Sequence, residues 1–132
     1  MVKLVIGGSN QGKTAVAKQL FSLQEDEILH GSEATGLAWT EKRALAELHE
    51  LVRYCLQRKE PLAPILARLK QQTTDFVFIC DEVGCGVVPI DPEERAWREA
   101  VGRLCCQLAK EADQVIRVCC GIPTVLKGEP LL

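Results

Sequence analysis

A glycine-rich stretch that ends in lysine and threonine lies close to the start of the chain. It consists of Gly7, Gly8, Ser9, Asn10, Gln11, Gly12, Lys13 and Thr14. This spacing, called a P-loop, lets backbone N–H groups surround a phosphate, and its three glycines permit positive φ angles and close approach of the backbone. Lys13 is expected to reach the β and γ phosphates, and the Thr14 hydroxyl is expected to bind Mg²⁺. The stretch therefore predicts a site for ATP or GTP as substrate.

The residues on either side of the P-loop fit the context that the motif requires. The apolar residues within 2–6 predict a strand, and the spacing of residues 13–23 predicts a helix. The alternative is a glycine-rich turn that arose by chance, which has no reason to lie at a strand-to-helix junction. The flanking residues thus strengthen the prediction of nucleotide binding.

Two adjacent acidic residues follow a second apolar run. Asp81 and Glu82 come directly after residues 76–80, which are all apolar and suit a strand buried on both faces of a parallel sheet. An acid in this place can hold the Mg²⁺ shell while its neighbour orients or deprotonates the attacking hydroxyl. We therefore predict Asp81 as a metal ligand and Glu82 as the base or the orienting group. The alternative is a pair of carboxylates that only ends a strand.

The remaining residues alternate between predicted strands and helices. Strands are predicted over residues 27–30 and 114–120. Helices are predicted from Thr40 to about Arg58, from Pro61 to near Gln72, and from the Asp91 cap to about Lys110. Residues 121–123, Gly-Ile-Pro, are expected to turn the chain toward a tail.

This alternation predicts an α/β fold, a three-layer P-loop NTPase-like domain with a mostly parallel sheet. Ligands of such sheets bind at the carboxyl ends of the strands. The rule places the P-loop, His30, the acidic pair and residues 121–123 along one edge. Of the two histidines, only His30 is therefore expected near a nucleotide, and His49 is interpreted as an ordinary helix residue.

Composition narrows the class of protein. The 132 residues are enough for one domain, residues 1–132, and too few for a second core. A net charge of −2 gives no electrostatic reason to expect nucleic acid as a partner. The sequence contains no apolar run long enough for a membrane span, and it opens on a strand and P-loop instead of a signal peptide. The expected location is the cytoplasm.

The seven cysteines are interpreted as structural. They are Cys55, Cys80, Cys85, Cys105, Cys106, Cys119 and Cys120. Their number is odd and none forms a C-x-x-C pair, so neither a disulfide framework nor a zinc site is indicated. Most fall within apolar strand or helix patterns, where a thiol acts as a small hydrophobic group. Cys85 is the exception, because it lies in a glycine-rich loop near the expected site.

Three segments resemble the bifunctional cobinamide kinase / cobinamide-phosphate guanylyltransferase family of cobalamin biosynthesis. They are residues 7–14, residues 82–89 with the following helix that carries Arg95 and Arg98, and residues 112–127. The resemblance implies phosphorylation of the aminopropanol hydroxyl of adenosylcobinamide with ATP or GTP. It also implies transfer of GMP to that phosphate through a guanylylated histidine, and a homo-oligomer, with a trimer as the expected form.

The chain resembles a shortened member of this family. The segment around the nucleophilic histidine and a further acidic strand are expected to be missing between the second strand and Phe76, and residues 39–41 are the only remnant suggested. His30 is then the only candidate for guanylylation. Asp81 stands where the family often has asparagine, so Asp81 and Glu82 together are interpreted as having taken over the Mg²⁺ role.

The first hypothesis is therefore a compact cobinamide kinase-like enzyme with a corrinoid as its second substrate. Lys13 would stabilise the transferred phosphoryl group, Thr14 and Asp81 would bind the metal, and Glu82 would act as base or as orienting group. One alternative is a nucleotide-binding regulatory protein without this catalysis. Another is a small-molecule kinase of different specificity, which would share all of the P-loop chemistry.

Overall fold

The computed structural model describes residues 2–31, 42–71, 75–83 and 89–131. Within these ranges it contains six strands and four α-helices. The strands are β1 (Val2–Gly7), β2 (Ile28–His30), β3 (Ala44–Ala46), β4 (Phe76–Asp81), β5 (Gln114–Cys119) and β6 (Ile122–Lys127). The helices are α1 (Lys13–Phe21), α2 (Leu48–Arg58), α3 (Ala63–Lys70) and α4 (Pro92–Glu111). None of these helices is long and apolar enough to span a bilayer.

The strands form one sheet in the order β2-β3-β4-β1-β5-β6. Each neighbouring pair is parallel except β5 with β6. β1 and β4 lie at the centre, and five of the six residues of β4 are buried, as its unbroken apolar sequence requires. The predicted α/β fold with a mostly parallel sheet is confirmed.

Helices cover both faces of the sheet. Alternate residues of the central strands, such as Leu4 and Phe78, pack with the apolar sides of α2, α3 and α4. The intervening residues, such as Val5 and Ile79, pack with Val16 and neighbouring residues of α1. Because side chains alternate across a strand, each central strand contributes to two apolar clusters. The predicted three-layer arrangement is therefore confirmed.

The predicted helix from Thr40 to Arg58 is wrong in its first part. Residues 44–46 are extended, with Ala44 paired with both Ile28 of β2 and Val77 of β4, and the helix begins only at Leu48. Glu47 between them has a left-handed backbone, with φ of 58°, which separates strand from helix. A short strand followed by an acid, β3 with Glu47, thus lies in the region where an acidic strand was expected to be missing. Thr40 and residues 39–41 lie outside the described residues.

Two further predictions need correction. Residues 122–127 form β6 instead of a tail, antiparallel to β5, because Cys120 and Gly121 have φ angles of 52° and 74° and make a tight hairpin turn between the two strands. Pro123 is tolerated because β6 is an edge strand. The third helix begins at Ala63, with Pro64 instead of Pro61 in its first turn.

The cysteines are less uniformly buried than expected. Cys55 and Cys80 are buried, and Cys105 is partly exposed on α4. Cys106, Cys119 and Cys120 are exposed, so the interpretation as core residues is wrong for these three. All six are free thiols, and Cys85 lies outside the described residues.

Asp91 caps the start of α4, as predicted. The Asp91 carboxylate accepts a hydrogen bond of 2.9 Å from the backbone N–H of Glu93. Replacing Asp91 with alanine leaves that N–H without its side-chain acceptor, and we expect a loss of about 1 kcal/mol in the free energy of unfolding. Urea denaturation measures this difference. The control is Asp91→Asn, which keeps an acceptor oxygen; equal stability of the two variants would contradict the capping role.

Candidate functional site

The P-loop joins β1 to α1 at the centre of the sheet edge. Gly12 has a φ angle of 85° and precedes the first turn of α1. Because Gly12 has no side chain, the N–H groups of this turn are not capped by it and face the loop. Asn10 also has positive φ, of 61°. Gly7 and Gly8 do not, so the predicted positive φ is wrong for these two.

Close approach of the backbone is confirmed at Gly7. A Cβ atom on Gly7 would collide with the carbonyl oxygen of Val118 on β5. A Cβ atom on Gly8 would meet only the flexible Gln11 side chain, at an ordinary 3.5 Å. Gly7 is therefore needed where the P-loop leaves the sheet between β1 and β5.

The turn between β5 and β6 supports the P-loop from the side. The Gln11 side-chain oxygen accepts a hydrogen bond of 2.6 Å from the Cys120 N–H. The Gln11 carbonyl accepts another, of 2.8 Å, from the Gly121 N–H. The prediction that Gly121 lies on the same edge as the P-loop is confirmed, since two hydrogen bonds join this turn to the loop.

Lys13 connects the P-loop to the end of β4. Its side chain is almost fully buried, and its ammonium group donates to the Gly8 carbonyl at 2.7 Å and lies 2.6 Å from Asp81 Oδ1. Asp81 is brought there by the pairing of β1 with β4, in which Gly7 is opposite Asp81. The sheet register therefore places the predicted phosphate-binding lysine and metal-binding acid in direct contact.

A cleft of about 320 Å³ opens beside this ion pair. Its lining consists of Ser9, Asn10, Gly12, Lys13, Thr14, Ala15, Glu47, His49, Ile79 and Asp81. It contains most of the P-loop together with the acid of β4. A larger groove of about 460 Å³ lies between α2 and α4, but no P-loop residue lines it. The cleft at the strand ends is the candidate site, because the chemistry-bearing side chains converge there.

Glu47 and His49 are members of the cleft that the sequence analysis missed. His49 is the second residue of α2, and its Nδ1 atom accepts a hydrogen bond of 3.2 Å from the Asp81 backbone N–H. Its Nε2 atom lies 3.5 Å from Asp81 Oδ2. The available signal was the sequence Leu45, Ala46, Glu47, a short apolar run that ends in an acid as the run before Asp81 does.

Glu82 lies beside Asp81 in sequence but has different contacts. Its carboxylate forms two hydrogen bonds with the Arg117 guanidinium of β5, at 2.9 and 3.1 Å, and its N–H donates to the Gly7 carbonyl. It does not line the cleft. The structure therefore brings Asp81 to Lys13 and holds Glu82 toward β5.

His30 lies at the carboxyl end of β2, as the edge rule predicts. Its Nε2 atom is 3.1 Å from Glu25 Oε1, and its Nδ1 atom is 3.9 Å from Glu47 Oε2. The Lys18 ammonium group and His30 lower the pKa of the Glu25 carboxyl through their hydrogen bonds. His30 does not line the cleft, but it lies beside Glu47, which does.

The donor set of the cleft suits magnesium. Thr14 and Asp81 offer a hydroxyl and a carboxylate oxygen, the ligand types that Mg²⁺ takes from proteins. The described ranges contain no cluster of three His, Cys, Asp or Glu side chains that could hold a metal ion without help. A magnesium site of a phosphotransferase usually takes one or two oxygens from the protein, and water and substrate phosphates complete it.

Comparison with known proteins shows a family match. A family model described as cobinamide kinase / cobinamide phosphate guanyltransferase matches residues 38–126. The matched range includes β3, β4 and β5 with Glu47, His49 and Asp81, and it leaves the P-loop outside. The P-loop geometry and the family match are thus separate observations. No curated protein shows a significant match to the chain.

Proposed function

Because the chain belongs to the cobinamide kinase / cobinamide phosphate guanyltransferase family, we propose that it phosphorylates a hydroxyl group of adenosylcobinamide with ATP or GTP. The observation that carries the proposal is the contact of 2.6 Å between Lys13 of the P-loop and Asp81 at the end of β4. It joins a phosphate-binding cation and a metal-binding acid across one cleft. We also propose that residues 1–132 work as one domain, in a homo-oligomer, in the cytoplasm.

Binding begins with the P-loop. The N–H groups of residues 8–14 surround the phosphates. When the triphosphate binds, Lys13 turns from Asp81 toward the β and γ phosphates, because their oxygens are stronger acceptors than the Asp81 carboxylate. Thr14 and Asp81 hold Mg²⁺, which when bound neutralises charge on the phosphate oxygens. The contact between Lys13 and Asp81 places the ammonium group in the lining of the cleft.

Transfer of the γ-phosphoryl group depends mostly on charge and position. Its transition state spreads negative charge over three oxygens, and little proton transfer is needed before the bond to the leaving oxygen has broken. Lys13 stabilises this charge. Because both oxygens of Glu82 are bound to Arg117, we assign to Glu82 the orientation of Arg117. Asp81 and Glu47 are the carboxylates that line the cleft.

Guanylyl transfer would need a nucleophilic nitrogen. The chain has two histidines, and the Nδ1 atom of His49 already accepts the Asp81 N–H, so its neutral ring carries the proton on Nε2. His49 therefore presents a donor to the cleft instead of a lone pair. His30 stays the candidate for guanylylation, near the cleft through Glu47.

A product assay tests the proposal. The purified protein is incubated with adenosylcobinamide, Mg²⁺ and either ATP or GTP, and the corrinoid is followed by mass spectrometry. We expect a mass gain of one phosphate, and a GMP adduct in addition if His30 supports the second activity. Nucleotide binding without any corrinoid product would overturn the kinase assignment. That outcome would favour a regulatory nucleotide-binding protein or a kinase that acts on another small molecule.

A further inference from the structure

His49 makes two different contacts with one residue of the neighbouring strand. Its Nδ1 atom accepts from the Asp81 backbone N–H at 3.2 Å, and its Nε2 atom faces Asp81 Oδ2 at 3.5 Å. Because a backbone N–H is always a donor, Nδ1 must be the acceptor, and the ring proton is on Nε2. The side chain thus presents an N–H group toward the carboxylate, at a distance that orients it without forming a strong hydrogen bond.

The two oxygens of Asp81 have different partners. Oδ1 lies 2.6 Å from Lys13 Nζ, whereas Oδ2 faces His49. Under the proposed function, Lys13 leaves this contact when the triphosphate binds. The His49 contact does not depend on Lys13, because it comes from α2. After Lys13 has moved, His49 is still placed to keep the Asp81 carboxylate turned toward the cleft.

Trp97 of α4 contacts His49 through its backbone carbonyl and its ring. The Trp97 indole N–H donates to the His49 carbonyl at 2.7 Å, and the centres of the two rings are 6.4 Å apart. The Arg53 guanidinium lies over the Trp97 ring at 3.8 Å and donates to Glu94 at 2.7 Å. With only 11% of its side chain exposed, His49 has little freedom to turn away from Asp81.

We propose that His49 is a positioning residue that orients the Asp81 carboxylate toward the metal–nucleotide complex. This inference rests on the proposed function, since it assumes that Asp81 binds the metal there. Partners of metal ligands fix the direction of the ligand oxygen and raise metal affinity without touching the metal. This proposal replaces the interpretation of His49 as an ordinary helix residue.

Two conservative variants separate the contacts that His49 makes. Asparagine keeps an acceptor near the position of Nδ1 and has no atom near Nε2, whereas glutamine can place an N–H donor near Nε2. If His49 only supports the backbone at Asp81, His49→Asn should be the better replacement. If it positions the carboxylate, His49→Gln should be the better one. Glu50→Gln is the matched control, because it removes the other carboxylate near Nε2, at 3.8 Å.

The measurement is Mn²⁺ binding in the presence of a non-hydrolysable ATP or GTP analogue, with free Mn²⁺ followed by electron paramagnetic resonance. We expect His49→Asn to weaken Mn²⁺ binding about 10-fold and His49→Gln by less than about 3-fold. Analogue affinity in EDTA, measured by calorimetry, should be unchanged in both variants, as should Mn²⁺ binding by Glu50→Gln. Melting temperatures of all variants show that the comparison is made on folded protein.

Three outcomes would count against the inference. Equal Mn²⁺ affinity in His49→Asn and wild type would overturn the positioning role of His49 and leave the proposed function standing. Tighter Mn²⁺ binding by His49→Asn than by His49→Gln would do the same. Equal losses of analogue affinity with and without metal would show a structural role for His49. Wild-type protein that binds the analogue equally with and without Mn²⁺ would instead remove the proposed metal role of Asp81, and the inference with it.

Discussion

Replacing Lys13 with methionine is expected to lower the rate of phosphoryl transfer by about 10²- to 10³-fold, because a donor aimed at the developing charge is removed from a preorganised site. Methionine keeps the volume of the buried side chain, so the loss reports the ammonium group and not a cavity. The measurement is the initial rate of corrinoid phosphorylation. Nucleotide affinity should fall in the same variant, since Lys13 also binds the β and γ phosphates.

The matched control is Lys18→Met on the same helix. Lys18 is a partly exposed lysine that pairs with the exposed Glu25, away from the cleft, and an ion pair at the surface contributes little to stability. We expect its phosphorylation rate to be close to that of wild type. If Lys13→Met kept the wild-type rate, or if both variants lost activity equally, the cleft at Lys13 and Asp81 would not be the site of transfer.

The P-loop could be predicted from the sequence because its geometry is local. A glycine with φ of 85° directly before a helix, followed by lysine and threonine, needs only the order of the residues and the strand before them. The burial of β4 could be predicted almost as directly, since an unbroken apolar run suits a strand inside a parallel sheet. The rule that ligands bind at the carboxyl ends of such strands placed Asp81 on the same edge as Lys13. The pairing of β1 with β4, which brings the two residues into contact, is known only from the structure.

β3 could not be predicted in the same way. Residues 44–46 are too few to show a period of two, and they continue the helical spacing of the residues that follow. They are extended because Ala44 pairs with strands on both sides, from parts of the chain that are distant in sequence. Tertiary pairing therefore overrides the local pattern.

His49 was missed as a consequence of that error. In a continuous helix over residues 40–58, His49 would lie in the middle of a helix face with no reason to approach Asp81. In the structure, the left-handed backbone of Glu47 ends β3 and starts α2 at the edge of the sheet, beside β4. The ring then lies next to Asp81. A side chain whose role depends on where a strand ends can be assigned only after that strand has been found.

Gly7→Ala is expected to destabilise the fold by about 3 kcal/mol, near the upper end of what one added methyl group costs in a packed interior. The new Cβ atom would collide with the carbonyl oxygen of Val118, which is backbone of the adjacent strand and has no rotamer by which to move aside. β1 and β5 would have to separate where the P-loop begins. We therefore expect nucleotide affinity to fall together with the free energy of unfolding, both measured on the same preparation.

Gly102→Ala is the control, and it should raise the free energy of unfolding instead of lowering it. Gly102 lies within α4, and a Cβ atom there would meet no atom within 4 Å. Alanine in an exposed helix position is expected to stabilise by about 0.5–1 kcal/mol, because glycine loses more conformational freedom on folding. A stable Gly7→Ala variant with wild-type nucleotide affinity would mean that β1 and β5 are not locked together at Gly7.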